Sequence, residues 1–259
     1  MELSIFQVDA FSKRVFGGNP AALCPLDSWL PDATLQAIAA ENNLAETAYF
    51  VRKGGRYHLR WFTPAVEMDL CGHATLASAY ILFHELGETS EVIRFDTQSG
   101  ELVVKREGDL LVMDFPSRPP GEVKVDPAVA PALGGKPTEI LAARDYFAVY
   151  GSEEEVRALK PNMAALARID KFAFIATARG KDGDFVSRFF APAAGVPEDP
   201  VTGSAHCSLI PYWAAKLGKN TLHARQISAR GGELFCKLKD DRVEIAGHCA
   251  FYLKGKIWV

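Results

Sequence analysis

Arg60-Trp61-Phe62-Thr63-Pro64-Ala65 returns further along the chain as Arg188-Phe189-Phe190-Ala191-Pro192-Ala193. Each copy is followed by a glycine that opens an apolar run. The first is Cys71-Gly72-His73-Ala74, leading to Leu86-Gly87; the second is Thr202-Gly203-Ser204-Ala205, leading to Leu217-Gly218. The opening and closing glycines keep one constant offset between the copies. Further on, Gly100-Glu101-Leu102 recurs as Gly232-Glu233-Leu234, and the turn at Gly108-Asp109 as Asp240-Asp241. The flanking segments alternate apolar and polar residues as paired strands do. Each half therefore reads as strand, glycine-started helix and hairpin. The period is far too long for a solenoid, so two similar domains are expected. A helix N-terminus in each can place two anion-binding ends around one ligand, which points to a small acidic substrate.

Composition narrows the classes. With 48% hydrophobic and 24% charged residues the chain has the balance of a globular protein. A net charge of −3 and the lack of a basic block give no support for nucleic-acid or anionic-membrane binding. Glu2 to Asp9 alternates as a strand rather than as a signal region, and no apolar run approaches the roughly 18 residues of a membrane span. The five cysteines are odd in number and lack C-x-x-C spacing. Reduced thiols in a cytoplasmic protein are expected, with no structural zinc.

Along the chain, Phe16-Gly17-Gly18-Asn19-Pro20 is a loop by its turn residues. A helix starts at Pro31-Asp32-Ala33-Thr34 and stops near Glu41-Asn42-Asn43, and a strand follows over Thr47 to Val51. Glu46 is left at the junction. The helix from His73 is apolar almost all round, so enclosure on every side is expected. Its counterpart from Ser204 carries Pro211, which should kink or break it. Pro116 to Lys136, rich in proline and glycine, is the expected boundary. The domains are then 1–118 and 119–259, with the last strand, near 250–259, as a candidate to return to the first.

The chemistry-bearing residues gather near these glycines. Gly72 and Gly203 allow a ligand to approach the backbone and the free N–H groups of a first helical turn. His73 can steady an oxyanion or simply pack at a helix start. Asp199, in Glu198-Asp199-Pro200-Val201-Thr202-Gly203, can bind substrate or serve as an ordinary Asp-Pro turn. Ser204 can hold a carboxylate or act only as a helix-terminal residue; it lacks the elbow pattern of a serine nucleophile. Glu46, among small and apolar neighbours, suits general acid/base work or is a solvated loop carboxylate. Cys71 and Cys207 read as reactive or as buried inert thiols. His206-Cys207 and His248-Cys249 have no further donors at ligand spacing, so no metal site is expected. No dinucleotide or phosphate-loop pattern follows a strand.

Taken together, these pieces resemble the PhzF-like family of phenazine-biosynthesis proteins. The matching segments are Val8-Asp9-Ala10-Phe11, Phe16-Gly17-Gly18-Asn19-Pro20-Ala21, Asn43-Leu44-Ala45-Glu46-Thr47-Ala48, Arg60 to Pro64, Asp69-Leu70-Cys71-Gly72-His73-Ala74-Thr75 and Glu198 to Ala205. The resemblance implies an α+β, diaminopimelate-epimerase-like fold. Its two similar domains each wrap a curved, mainly antiparallel sheet around a central helix, with the site in the interdomain cleft. It also implies a homodimeric, cofactor-independent isomerase that shifts a proton on a small carboxylate-bearing substrate. By position, Glu46 is the acid/base, supported by His73, Asp199 and Ser204, with Asn19, Cys71, Gly72 and Gly203 on the substrate. The substrate of the namesake pathway is trans-2,3-dihydro-3-hydroxyanthranilate. Related epimerases and racemases use two opposed cysteines. Cys71 matches the first, but Pro200 stands where the second would be. An epimerase using Glu46 and Cys71 as unlike bases, and a ligand-binding protein that has lost turnover, are the alternatives.

Overall fold

The computed structural model describes all 259 residues. In chain order the first elements are β1 (Glu2–Ala10), β2 (Asn19–Leu26), α1 (Asp32–Asn42), β3 (Glu46–Lys53), β4 (Arg56–Phe62), β5 (Glu67–Met68), α2 (Gly72–His84), β6 (Val92–Thr97), β7 (Gly100–Glu107) and β8 (Leu110–Pro116). Then come α3 (Val129–Leu133), β9 (Glu139–Ala142), β10 (Tyr146–Val149), α4 (Glu153–Ala158), α5 (Met163–Leu166), β11 (Phe174–Arg179), β12 (Phe185–Ala191) and β13 (Val196–Asp199). The chain closes with α6 (Gly203–Leu217), β14 (Thr221–Gln226), β15 (Gly232–Lys239), β16 (Arg242–Gly247) and β17 (Cys249–Trp258). Two compact units result: Met1–Asp114 with Ala246–Val259, and Phe115–Ile245. No helix is long and apolar enough to cross a membrane.

In the first unit β1 pairs antiparallel with both β17 and β2. β2 and β3 pair in parallel, β3 and β4 antiparallel, β4 and β6 in parallel, and β6, β7 and β8 antiparallel in turn. Parallel neighbours need a crossover, and α1 and α2 supply the two. α2 packs against β1, β2, β3, β7 and β17. From His73 to Phe83 every α2 residue except Tyr80 is buried. That is why its sequence has no polar stripe. On the other side of the sheet, α1 lays Leu35, Ile38 and Ala39 on Cys24, Leu26, Tyr49 and Phe62.

The second unit repeats the pairing element for element. β9 and β10 are antiparallel, β10 and β11 parallel, β11 and β12 antiparallel, β12 and β14 parallel, and β14 and β15 antiparallel. Its core gathers Val129 and Leu133 of α3, Val156 of α4, Leu166 of α5 and strand residues such as Phe174 and Phe190.

The repeated hexapeptide now has a physical cause. Arg60 on β4 forks onto Glu67 of β5, with nitrogen–oxygen distances of 2.7 and 2.8 Å, and lies over the Phe62 ring at 5.1 Å. Arg188 on β12 forks onto Glu198 of β13 at 2.7 and 2.9 Å and lies over Phe190 at 5.0 Å. Each arginine clips a long strand to the short one that leads to a glycine-started helix.

Pro211 does not break its helix: α6 runs from Gly203 to Leu217 with Pro211 inside. A proline there deprives the carbonyl four residues earlier, that of Cys207, of its helical donor. The backbone N–H of Arg118 bonds that carbonyl instead, at 2.8 Å.

Candidate active site

In the first unit three segments converge on His73. Asn43, with φ 48°, ends α1 in the left-handed region, and Asn42 Nδ2 donates to Thr47 Oγ1 at 3.1 Å, which fixes the turn into β3. Glu46 is thereby the first residue of β3, in register with Ala21 of β2. Its Oε2 lies 3.1 Å from His73 Nε2, with only 13% and 6% of the two side chains exposed. Neither atom has another hydrogen-bond partner.

The opposite edge of the imidazole is held as firmly. Asn19 Nδ2 lies 3.2 Å from His73 Nδ1, and Cys71 Sγ 3.5 Å from the same nitrogen. Asn19 is fully buried at the start of β2. The loop before it is dictated by Gly18, at φ +63°, where a Cβ would come 2.1 Å from the carbonyl oxygen of Ala10. The N–H of Phe16 anchors the same loop on Asp9 Oδ2 at 2.8 Å.

Burial disfavours charge on His73, but Cys71 and the Glu46 carboxylate outweigh it and hold the imidazole well above its ordinary value. Burial, reinforced by the Glu46 carboxylate, pushes the Cys71 thiol up as well, despite His73 beside it. The Glu46 carboxylate thus favours a proton on His73 and on Cys71 alike.

In the second unit the approach to α6 is built from hydrogen bonds. Thr202 Oγ1 donates to Asp199 Oδ2. Gln226 accepts from the Thr202 N–H at 2.9 Å, donates to the Asp199 carbonyl at 2.8 Å, and its Nε2 lies 3.2 Å from Thr202 Oγ1. Ser228 Oγ donates to the Pro200 carbonyl at 2.8 Å. His206, fully buried against Phe185, has Nδ1 at 2.9 Å from the Thr202 carbonyl; burial drives its value down to about 4, so it is neutral and donates that bond. Ser204, the second residue of α6, is partly exposed.

Neither helix start is closed by a side-chain cap from the residue before its glycine, Cys71 or Thr202. Thr202 spends its hydroxyl on Asp199, and the Cys71 sulfur faces His73. First-turn N–H groups at Gly72 and Gly203 have no intrahelical partner and lie at the positive end of each helix dipole, an arrangement that suits a carboxylate or a developing oxyanion.

The structure thus brings Glu46, His73, Cys71 and Asn19 together in the first unit. In the second it groups Asp199 and Thr202 at the approach to Gly203 and Ser204. Gln226 escaped the sequence reading. Its signal was a polar residue on the buried face of an alternating strand, after Leu222 and Ala224.

Comparisons with known proteins place the chain in a family. The sequence pattern of the PhzC-PhzF family, described as phenazine biosynthesis-like protein, matches residues 8–255. A Pseudomonas aeruginosa protein named as an uncharacterized isomerase is 55% identical over 99% of both chains. The human phenazine biosynthesis-like domain-containing protein is 42% identical, again over 99% of both. The crystal structure of a PhzF-family protein from Enterococcus faecalis superposes with a TM-score of 0.97 at 46% identity, over the whole of each chain. A hydroxyproline epimerase from Agrobacterium vitis, at 11% identity and a TM-score of 0.63 over 99% of this chain and 92% of its own, shares the fold. The α+β, epimerase-like architecture expected from the sequence is therefore the one observed. With a matching pattern over nearly all its length and relatives named as isomerases, this chain belongs to the PhzF-like, phenazine biosynthesis-like family of isomerases.

Proposed function

We propose that the protein is a cofactor-independent isomerase that moves a proton between two carbons of a small carboxylate substrate, with Glu46 as the acid/base. The observation that carries this reading is the enclosed pair of Glu46 Oε2 and His73 Nε2, 3.1 Å apart. In the proposed step a substrate C–H bond breaks, its proton passes to the Glu46 carboxylate, and the electron pair delocalises toward the substrate carboxylate. Protonated Glu46 then returns the proton to a different carbon on the same face. His73, held cationic, steadies the Glu46 carboxylate before the transfer and the substrate anion after it. Asn19 orients the ring. Asp199, Ser204 and the N–H groups at Gly72 and Gly203 are assigned to the polar groups of the substrate on the strength of the family pattern.

The raised value of Cys71 favours a carboxylate base over a thiol one. A thiol kept neutral by burial and by Glu46 is a poor base, which weighs against an epimerase built on Glu46 and Cys71.

The test is incubation with trans-2,3-dihydro-3-hydroxyanthranilate in D₂O, followed by proton NMR, with Glu46→Gln and Cys71→Ser beside the wild type. Isomerisation lost in Glu46→Gln and kept in Cys71→Ser supports the reading, with protium retained at the receiving carbon to the extent that Glu46 returns its proton before exchanging with D₂O. Turnover unchanged in Glu46→Gln sinks it. A wild type inert on that compound removes it as substrate, and the same comparison then moves to other unsaturated carboxylates.

A further inference from the structure

Glu46, Cys71 and His73 are also the one place in the chain where three metal-ligating side chains gather, their donor atoms all within 4.8 Å of one another. We propose that these three residues form a binding site for a borderline-soft divalent transition ion, zinc foremost, and that the ion blocks the acid/base site when it binds.

The donor set selects the ion. One carboxylate oxygen, one sulfur and one imidazole nitrogen are each ordinary zinc ligands, and three protein ligands with an open fourth position are the pattern of accessible zinc sites. Magnesium and calcium, which take oxygen ligands, find only one here.

The spacing is within reach of a tetrahedral shell. Bonds of about 2.0–2.3 Å to a tetrahedral ion put neighbouring ligand atoms roughly 3.3–3.7 Å apart. Taking one donor atom from each residue, the three lie within 4.8 Å of one another. Glu46 Oε2 meets His73 Nε2 at 3.1 Å, whereas Cys71 Sγ lies 3.5 Å from the other ring nitrogen, Nδ1. One imidazole nitrogen serves, so the ring turns to aim it between the carboxylate and the sulfur, and the three side chains draw together to complete the shell.

The surroundings lower the cost of binding. Glu46 Oε2 and His73 Nε2 are buried with no other hydrogen-bond partner, so coordination displaces no other hydrogen bond. Cys71 is the residue before the first turn of α2, so a thiolate formed on the ion lies at the positive end of the helix. As the zinc–sulfur bond forms, the sulfur–hydrogen bond breaks and its proton goes to solvent. Any proton on the ligating nitrogen leaves the same way. Thiolate and carboxylate then cancel the charge of the dication, which suits an enclosed site.

Binding rests on this geometry alone; the loss of activity rests also on the role proposed for Glu46. The test is titration of the full-length, metal-free protein with cobalt(II), followed by absorbance, with zinc as competitor. A sulfur-to-cobalt charge-transfer band saturating at one equivalent is expected, and zinc should abolish it. The band should vanish in Cys71→Ser, and affinity should fall about tenfold or more in Glu46→Gln and His73→Asn, each verified as folded by its thermal transition. No band in the wild type, or a band that persists in Cys71→Ser, overturns the site. A band with the expected variant pattern in a protein without proton-shift activity upholds the site and counts against the proposed function instead. Loss of turnover on adding zinc, reversed by a chelator, joins the two.

Discussion

The helix starts at Gly72 and Gly203 come from the same local design and have opposite electrostatic characters. Ahead of Gly72 stands Cys71, with Glu46 against His73 and the histidine held cationic. Ahead of Gly203 stands a segment wired by Gln226, Thr202 and Asp199, with a histidine kept neutral in apolar surroundings. The arginine clips are alike in both units although Glu67 follows its arginine by 7 residues and Glu198 by 10. The scaffold has thus been kept while the residues before the glycine diverged. One start concentrates charge, and the other spends its polar groups on holding backbone in place.

The largest expected contrast is kinetic. Glu46→Gln should lower the rate of proton exchange by about 10²–10⁴, the usual worth of a positioned acid/base, measured by deuterium incorporation. A smaller effect than that at Gln226→Leu would fit a charged start and a structural one; the reverse ranking would break the comparison.

The clips come next. Arg188 also donates to the carbonyls of Val156 and Leu159, at 3.2 and 2.9 Å, whereas Arg60 adds only Asp32, at 2.9 Å. Arg188→Ala should therefore cost about 3–5 kcal/mol, as for a buried pair broken on one side. Arg60→Ala should cost about 1.5–3 kcal/mol, the worth of a charged hydrogen bond. Urea unfolding of the two variants tests the order.

The two histidines should give stability opposite pH slopes. A free histidine titrates near 6.5. His206 is depressed to about 4 in the fold, so its contribution is present above 6.5 and is lost as pH falls toward 4, roughly 3 kcal/mol in all. His73 is raised, so its contribution is full below 6.5 and is lost as pH rises through its folded value. Thermal transitions across the pH range should show both limbs. His206→Asn should flatten the acid limb, and Glu46→Gln should weaken the alkaline one.

The smallest expected effect is at Gln226→Leu, about 1–3 kcal/mol, because it strands the Thr202 N–H and the Asp199 carbonyl. Gln226→Glu keeps the acceptor and loses the donor, so its cost in urea unfolding should fall between those of Leu and wild type.

Much of this was legible in the sequence. The repeat marked both helix starts, and the unbroken apolarity after His73 marked α2 as enclosed. What escaped was whatever depends on contacts between distant segments. Glu46 and His73 were linked only through the family resemblance, since a strand start and a helix start share no local pattern and meet only once β2, β3 and α2 have packed. Pro211 reads as a helix breaker to any local rule. Only the packed unit shows that Arg118 supplies a donor to the carbonyl the proline strands. Arg60 and Arg188 were visible as a repeat, but not as clips, because their glutamates sit at different separations.

The pairing of β1 with β17 has a consequence for how the chain comes off the ribosome. Glu2 to Ala10 meets Cys249 to Trp258 strand to strand. A nascent β1 can therefore gain β2 early while its other edge stays open to aggregation until Cys249 to Trp258 has been made. The unit Phe115–Ile245 is continuous and can finish its own pairings first. Stalled translation products ending before Cys249 should accordingly show exchange-protected amides in β11 and β12 and unprotected ones on the open edge of β1. β1 would thus be made long before it locks.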